Sequence, residues 1–359
     1  MSVKTSRMET PPASVSRREA DLWNLGVLPI LVLGSLSGLL GVYWDISWHI
    51  DKGRDTFFTP PHNFIYLAIL IVLVMSLYAL VRDRRESPLH LTVGRFRLHP
   101  GVLIVSVGAA LELFFTPADE LWHRLFGMDV TLWAPMHLIG VMGLSLLGFG
   151  GLITSWIERR LSAHRVRQQL FGYSSLLFAA TFLGWSMLFL AEYEFNIPAF
   201  PMLWHPLLLA GLPTFTLVLV ANLRPVPWAA TWTAVLFTLI RGLLAGWLMT
   251  SAGFDLAGET RPLIPMLIVS GLAADLLVRR RLPRWQLGFI LGVISLLANL
   301  PLVEAAKINW HSGALLTGVP LGLALSMALA YLGAAVAAAL EPNPVEADRP
   351  VEVGRGVQV

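Results

Sequence analysis

Cysteine is absent from this chain of 359 residues. Disulfides, iron–sulfur clusters and thiolate metal sites are thereby excluded, and any metal has to be held by His and carboxylate ligands. Charge is scarce as well: Asp, Glu, Lys and Arg make up 14% of the residues, against roughly 25% in soluble globular proteins. No Walker loop, dinucleotide fingerprint or Gly-x-Ser-x-Gly elbow occurs, which leaves no signature of a nucleotide cradle or a serine nucleophile. The first twenty residues are polar and basic with no apolar stretch. That argues against a cleavable signal peptide and for a short cytoplasmic tail over residues 1–21.

What is present is apolar. Hydrophobic residues make up 55% of the chain and mean hydropathy is +0.66. They fall in runs of roughly 18 to 25 residues, the length of helix that crosses a hydrocarbon core of about 30 Å. The expected fold is therefore all-α: a polytopic integral membrane helical bundle of about ten transmembrane helices in five hairpins. The spans are expected near residues 22–44, 62–81, 101–118, 132–157, 171–191, 205–223, 229–249, 263–278, 286–303 and 319–340. Lys and Arg divide unequally between alternate connections, eighteen on the side of the N-terminus and five on the other. By the positive-inside rule this places both termini in the cytoplasm and the five hairpin tips outside. Net charge is only +3 despite a pI of 9.4, so the lipid bilayer, and not nucleic acid, is the expected partner. Residues 341–359 read as a disordered cytoplasmic tail.

Two of the outer connections repeat each other. Residues 44–62 and 118–137 share Asp-x-x-Trp-His, three residues, Gly-x-Asp, four or five residues, and Pro-x-His. The first copy holds Asp45, Trp48, His49, Gly53, Asp55, Pro60 and His62; the second holds Asp119, Trp122, His123, Gly127, Asp129, Pro135 and His137. Seven identities at one point of consecutive hairpins mark an internal repeat.

The spacing has a chemical meaning. Asp and His four residues apart lie one turn apart on one helix face, and a short Gly/Pro turn brings a second His to the start of the returning helix. Each tip thus gathers one carboxylate and two imidazoles, a set suited to copper, zinc or non-haem iron(II). With open coordination positions such a site can activate oxygen or water. Charged groups at a membrane are costly and mark function, so Asp45, His49, His62, Asp119, His123 and His137 are the candidate ligands. Pro60, Pro135 and the glycines read as turn-formers. Trp48 and Trp122 are candidates to stand behind the ligands or in the interfacial aromatic belt.

Residues Arg54-Asp55-Thr56-Phe57-Phe58-Thr59-Pro60-Pro61-His62, preceded by Asp45-x-x-Trp-His49, resemble the C subunit of the copper-containing membrane monooxygenases, the particulate methane and ammonia monooxygenase family. The resemblance implies a copper site on Asp45, His49 and His62. The family's second site has an Asn, a His four residues on and a His fourteen further, and Asp119, His123 and His137 fall at that spacing. It implies oxidation of small apolar substrates with O2, further monooxygenase-type subunits or a homo-oligomer, and a bacterial or archaeal plasma membrane. It covers roughly residues 20–160. Here Asp119 stands where the family has Asn, which adds a negative charge, and four to six more helices follow. No cupredoxin-like domain is legible, so the copper sites of the family's B subunit are not expected on this chain. The organisation expected is metal-site helices over 22–160 and additional helices, a scaffold or partner surface, over 161–340.

Other polar residues have several readings. Glu112 shares a helix face with Asp119 and His123; it is read as an extra ligand, an acceptor behind a ligating His, a proton relay, or the ion-pair partner of Arg241. Arg54, Asp55 and Asp129 are candidates for the same supporting or relay roles. The third connection carries Glu192, Glu194 and His205 and looks like a decayed third copy, so these are candidate additional ligands. Asp275 is read as an ion-pair or snorkelling residue beside Arg279-Arg280-Arg281. His90, His99 and His164 are read as solvated, leaving the inner connections without a matching ligand set. The alternative function is metal transport or delivery; a third reading is an ion that only staples the hairpins together.

Overall fold

The computed structural model describes residues 26–53, 57–83, 89–94, 96–126, 133–250 and 262–341. The candidates Arg54, Asp55 and Asp129, residues 1–25 and 342–359, and the fourth tip with Asp255, Glu259 and Arg261 lie outside the described residues. The chain runs α1 (Val27–Lys52), α2 (Pro60–Arg82), a small hairpin of β1 (Leu91–Val93) and β2 (Phe96–Leu98), α3 (Pro100–Phe126), α4 (Pro135–Leu161) and α5 (Arg165–Met187). One 3-10 turn (Leu188–Leu190) leads to the short α6 (Ala191–Glu194). Then follow α7 (Trp204–Leu223), α8 (Ala229–Thr250), α9 (Ile268–Arg279), α10 (Arg284–Ala305) and α11 (Ser312–Leu340).

Among the described residues nine helical stretches are long and apolar enough to cross a membrane. The protein is an integral membrane helical bundle, as its composition requires. The stretch Arg165–Glu194 and α7 form the interior, 78% and 83% buried in their most apolar windows, whereas α2 and α11 are only 28% buried. Leu67, Leu70, Val74 and Val81 of α2 face outward, which is where lipid replaces protein as the apolar medium.

Local chemistry explains the hairpins. Gly53, at φ 79°, closes α1 in a conformation that side chains resist. Pro60 and Pro135 open α2 and α4, where the missing N–H is no loss. Between α3 and α4 small residues let the backbones touch: a methyl at Gly108 would stand 2.6 Å from the Gly143 carbonyl oxygen. This close contact fixes the hairpin that carries Asp119 and His137.

The tenth expected span, 263–278, is different. Only α9 is helical there, 12 residues and so about 18 Å, too short for a core of about 30 Å. Residues 262–267, which include Pro262 and Pro265, are not helical. Several of the freed backbone groups find partners: Met266 N–H donates to Asn299 Oδ1 at 2.7 Å, Asn299 Nδ2 donates back to the Met266 carbonyl at 3.3 Å, and Leu263 N–H donates to the Glu194 carbonyl at 2.8 Å. A broken helix at membrane depth is tolerated only when protein replaces its lost hydrogen bonds.

Candidate metal centres

Both triplets come together. In the first, Asp45 and His49 lie one turn apart near the end of α1, and His62 sits in the first turn of α2. Asp45 Oδ1 is 3.1 Å from His62 Nε2 and Asp45 Oδ2 is 3.7 Å from His49 Nε2. In the second, Asp119 and His123 end α3 and His137 starts α4. Asp119 Oδ2 is 3.4 Å from His123 Nε2 and Asp119 Oδ1 is 3.5 Å from His137 Nε2. The atom pairing is identical in the two triads. In each, three potential donor atoms lie within 4.8 Å of one another.

These separations fit a shared ion better than direct hydrogen bonds. N–H···O bonds run about 2.7–3.2 Å, and three of the four distances exceed that. Two donors each about 2.0–2.2 Å from a tetrahedral ion stand about 3.3–3.6 Å apart. The two imidazoles are held at similar angles, with centroids 6.2 Å apart in the first triad and 5.7 Å in the second and planes at 48° in both. The ligands are part-exposed, from 20% to 42% in the first set and 21% to 24% in the second, so solvent reaches the remaining coordination positions.

The surroundings differ. Tyr66 stacks on His62 at 5.7 Å and Phe57 packs on Tyr66 at 5.1 Å. Sequence reasoning passed over Tyr66, although its place one turn after His62 was a signal. Trp48 sits under the Lys52 ammonium, 4.3 Å away, and Trp122 packs on Phe126 at 4.4 Å.

Glu112 is buried between α3 and α4 against Gly143. Its Oε1 accepts no hydrogen bond, and it lies two turns, about 10 Å, from Asp119 along the helix. It is not within a triad. Pairing with Arg241 is ruled out as well, because Arg241 is engaged elsewhere: its Nη2 donates to Glu194 Oε2 at 2.7 Å, and its Nη1 to the Tyr43 hydroxyl. Tyr43 donates in turn to Glu194 Oε2 at 3.0 Å.

The third connection gathers no triad among the described residues. Glu192 Oε2 accepts from the backbone N–H groups of Ala199 and Phe200, Glu194 is spent on Arg241 and Tyr43, and His205 Nδ1 accepts from Trp310 Nε1 at 2.8 Å. Glu194 and His205 border a cavity of about 10 Å³, room for about one water.

Two further expectations are corrected. Asp275 is no snorkelling residue: it accepts from the N–H groups of Ala230 and Thr231 and from the Thr231 hydroxyl, capping α8 from a neighbouring helix. His90 and His99 are not solvated. The register Leu91↔Leu98 puts them at the two feet of the β-hairpin, where their rings stand 5.3 Å apart. His90 Nε2 is 3.7 Å from Asp83 Oδ2 and His99 Nε2 is 3.5 Å from Glu158 Oε1, all four side chains at most 3% exposed. The end of the bundle opposite the triads therefore carries its own buried His and carboxylate cluster. His164, the N-cap of α5, is exposed as expected.

No family model, curated protein or solved structure matches the chain.

Proposed function

We propose that this membrane protein binds a transition-metal ion, copper foremost, at each of its two Asp-His-His triads, and that it is a relative of the C subunit of the copper membrane monooxygenases that takes part in oxidising small apolar substrates with O2. The observation that carries the reading is the repeated geometry: one carboxylate facing two imidazole Nε2 atoms through separate oxygens, twice, at ion-sharing distances. The bias of Lys and Arg between alternate connections supports triads at the extracytoplasmic side and termini in the cytoplasm. Zinc and iron(II) fit the same ligands.

The chain's own residues supply binding and orientation. Asp45 and Asp119 each face two imidazoles through separate carboxylate oxygens, and the α1–α2 and α3–α4 hairpins carry the rings. Bound copper would supply activation of oxygen or water at the exposed face of each triad. On this reading Glu112, on the face of α3 that leads to Asp119, serves as the proton-exchanging acid of the second centre. X-ray absorption at the copper edge of protein loaded in nanodiscs tests the binding. The expected shell holds two imidazole nitrogens and one carboxylate oxygen per ion; a shell without imidazole would refute it. Substrate-dependent O2 consumption, abolished in Asp45→Ala or Asp119→Ala, tests the oxidation.

One observation favours transport as a second reading. The Asp83, His90, His99 and Glu158 cluster supplies the opposite end of the bundle with ligand-type residues, and α3 and α4 connect it to the second triad through Glu112. Metal flux into proteoliposomes that needs both Asp119 and His99 would establish transport. A loaded protein with no flux would exclude it.

A further inference from the structure

We infer that the end of the bundle opposite the triads holds a binding pocket for a phosphate-bearing anion, supplied by an anionic phospholipid headgroup or a soluble phosphate ester. A cavity of about 490 Å³ opens there between α4, α5, the α7–α8 loop and α9. Four arginines line it, one from each of these elements: Arg159, Arg165, Arg224 and Arg279. Its size is that of a small-molecule site.

The positive charge is in excess: four guanidinium groups line the cavity against one carboxylate. Asp275 is the one acid among the lining residues, and both its oxygens are already used to cap α8. No ion pair reaches any of the four arginines among the described residues. Arg159 Nε is buried with no hydrogen-bond partner. Arg279 is held over the Trp228 ring at 3.8 Å, which orients its guanidinium without neutralising it. Four guanidinium groups around one concavity repel each other until a multi-oxygen anion enters, and phosphate oxygens match their forked donors.

The loop is built at a conformational cost. Arg224 and Trp228 both adopt left-handed backbone, φ 49° and 59°, where glycine is the comfortable residue. Pro225 and Pro227 stiffen the turn between them. Arg224 is the C-cap of α7, its N–H donating to the Val220 carbonyl, so the helix end fixes where its side chain starts. Arginines on this side are also what membrane topology demands, but topology does not ask for a cavity between them. Basic pockets between helices at a membrane surface are the recognised form of anionic headgroup sites.

Arg224→Gly separates ligand binding from folding, because glycine relieves the backbone strain while removing the guanidinium. Native mass spectrometry of the detergent-purified protein would be run with cardiolipin, phosphatidylglycerol, phosphatidylcholine and inorganic phosphate. The expected result is one retained anionic lipid, no retained phosphatidylcholine, and at least a tenfold loss of retention in Arg224→Gly with Arg159→Gln at unchanged thermal stability. Saturable binding of inorganic phosphate with no lipid retention, lost in the same variant, would assign the soluble source. Equal retention by wild type and variant, or no binding of any anion, would overturn the site.

Discussion

The two halves of this bundle treat buried polarity in opposite ways. Among the described residues of the C-terminal half, three buried polar side chains are bound into the fold: Arg241 by Glu194 and Tyr43, Asp275 by the start of α8, Asn299 by the non-helical segment before α9. In the α1–α4 half, two carboxylates face two imidazoles each at separations mostly too long for hydrogen bonds, with solvent access. Polarity used for architecture ends in short, closed contacts; polarity kept for a ligand is left spaced and open. The same contrast distinguishes Glu194, which looked like a third-site ligand, from Asp45 and Asp119.

The contrast makes graded predictions. Arg241→Met should have the largest effect on the fold, because it strands Glu194 in the interior; breaking a buried pair costs about 3–5 kcal/mol. Thermal unfolding in detergent should show it, with copper stoichiometry in the surviving folded fraction unchanged. Asp119→Ala should do the reverse. Losing a ligand should weaken copper at the second triad by more than the roughly 10–100-fold cost of an outer hydrogen-bond partner, without lowering apo-protein stability. A large stability loss here would erase the distinction between the halves. Asn299→Ala comes next, leaving the Met266 N–H unsatisfied at about 1–3 kcal/mol, with faster hydrogen exchange confined to residues 262–267. Tyr66→Leu should be smallest. It removes the ring stacked on His62, an interaction of about 0.5–1.5 kcal/mol, and should weaken the first site severalfold while leaving the second untouched.

How much of this was legible in the sequence depends on range. Apolar runs locate nine spans because a membrane helix satisfies its own backbone locally. The triads were legible because Asp and His four apart, followed by a short turn and Pro-x-His, is again a local pattern. The Glu194–Arg241–Tyr43 cluster was not, since its members are up to 198 residues apart and only helix packing unites them. Two misses had local signals. Pro262 and Pro265 marked the broken span, and the stretch His90-Leu91-Thr92-Val93-Gly94-Arg95-Phe96-Arg97-Leu98-His99 alternates around a glycine as hairpins do. Read that way, it would have put His90 beside His99.

The most direct test counts copper bound by wild type, Asp45→Ala, Asp119→Ala and the double variant, each purified folded, loaded and desalted. The account predicts two equivalents, one, one and none. A double variant that keeps the wild-type copper would contradict it, since the ions would then be held somewhere other than the two hairpin tips.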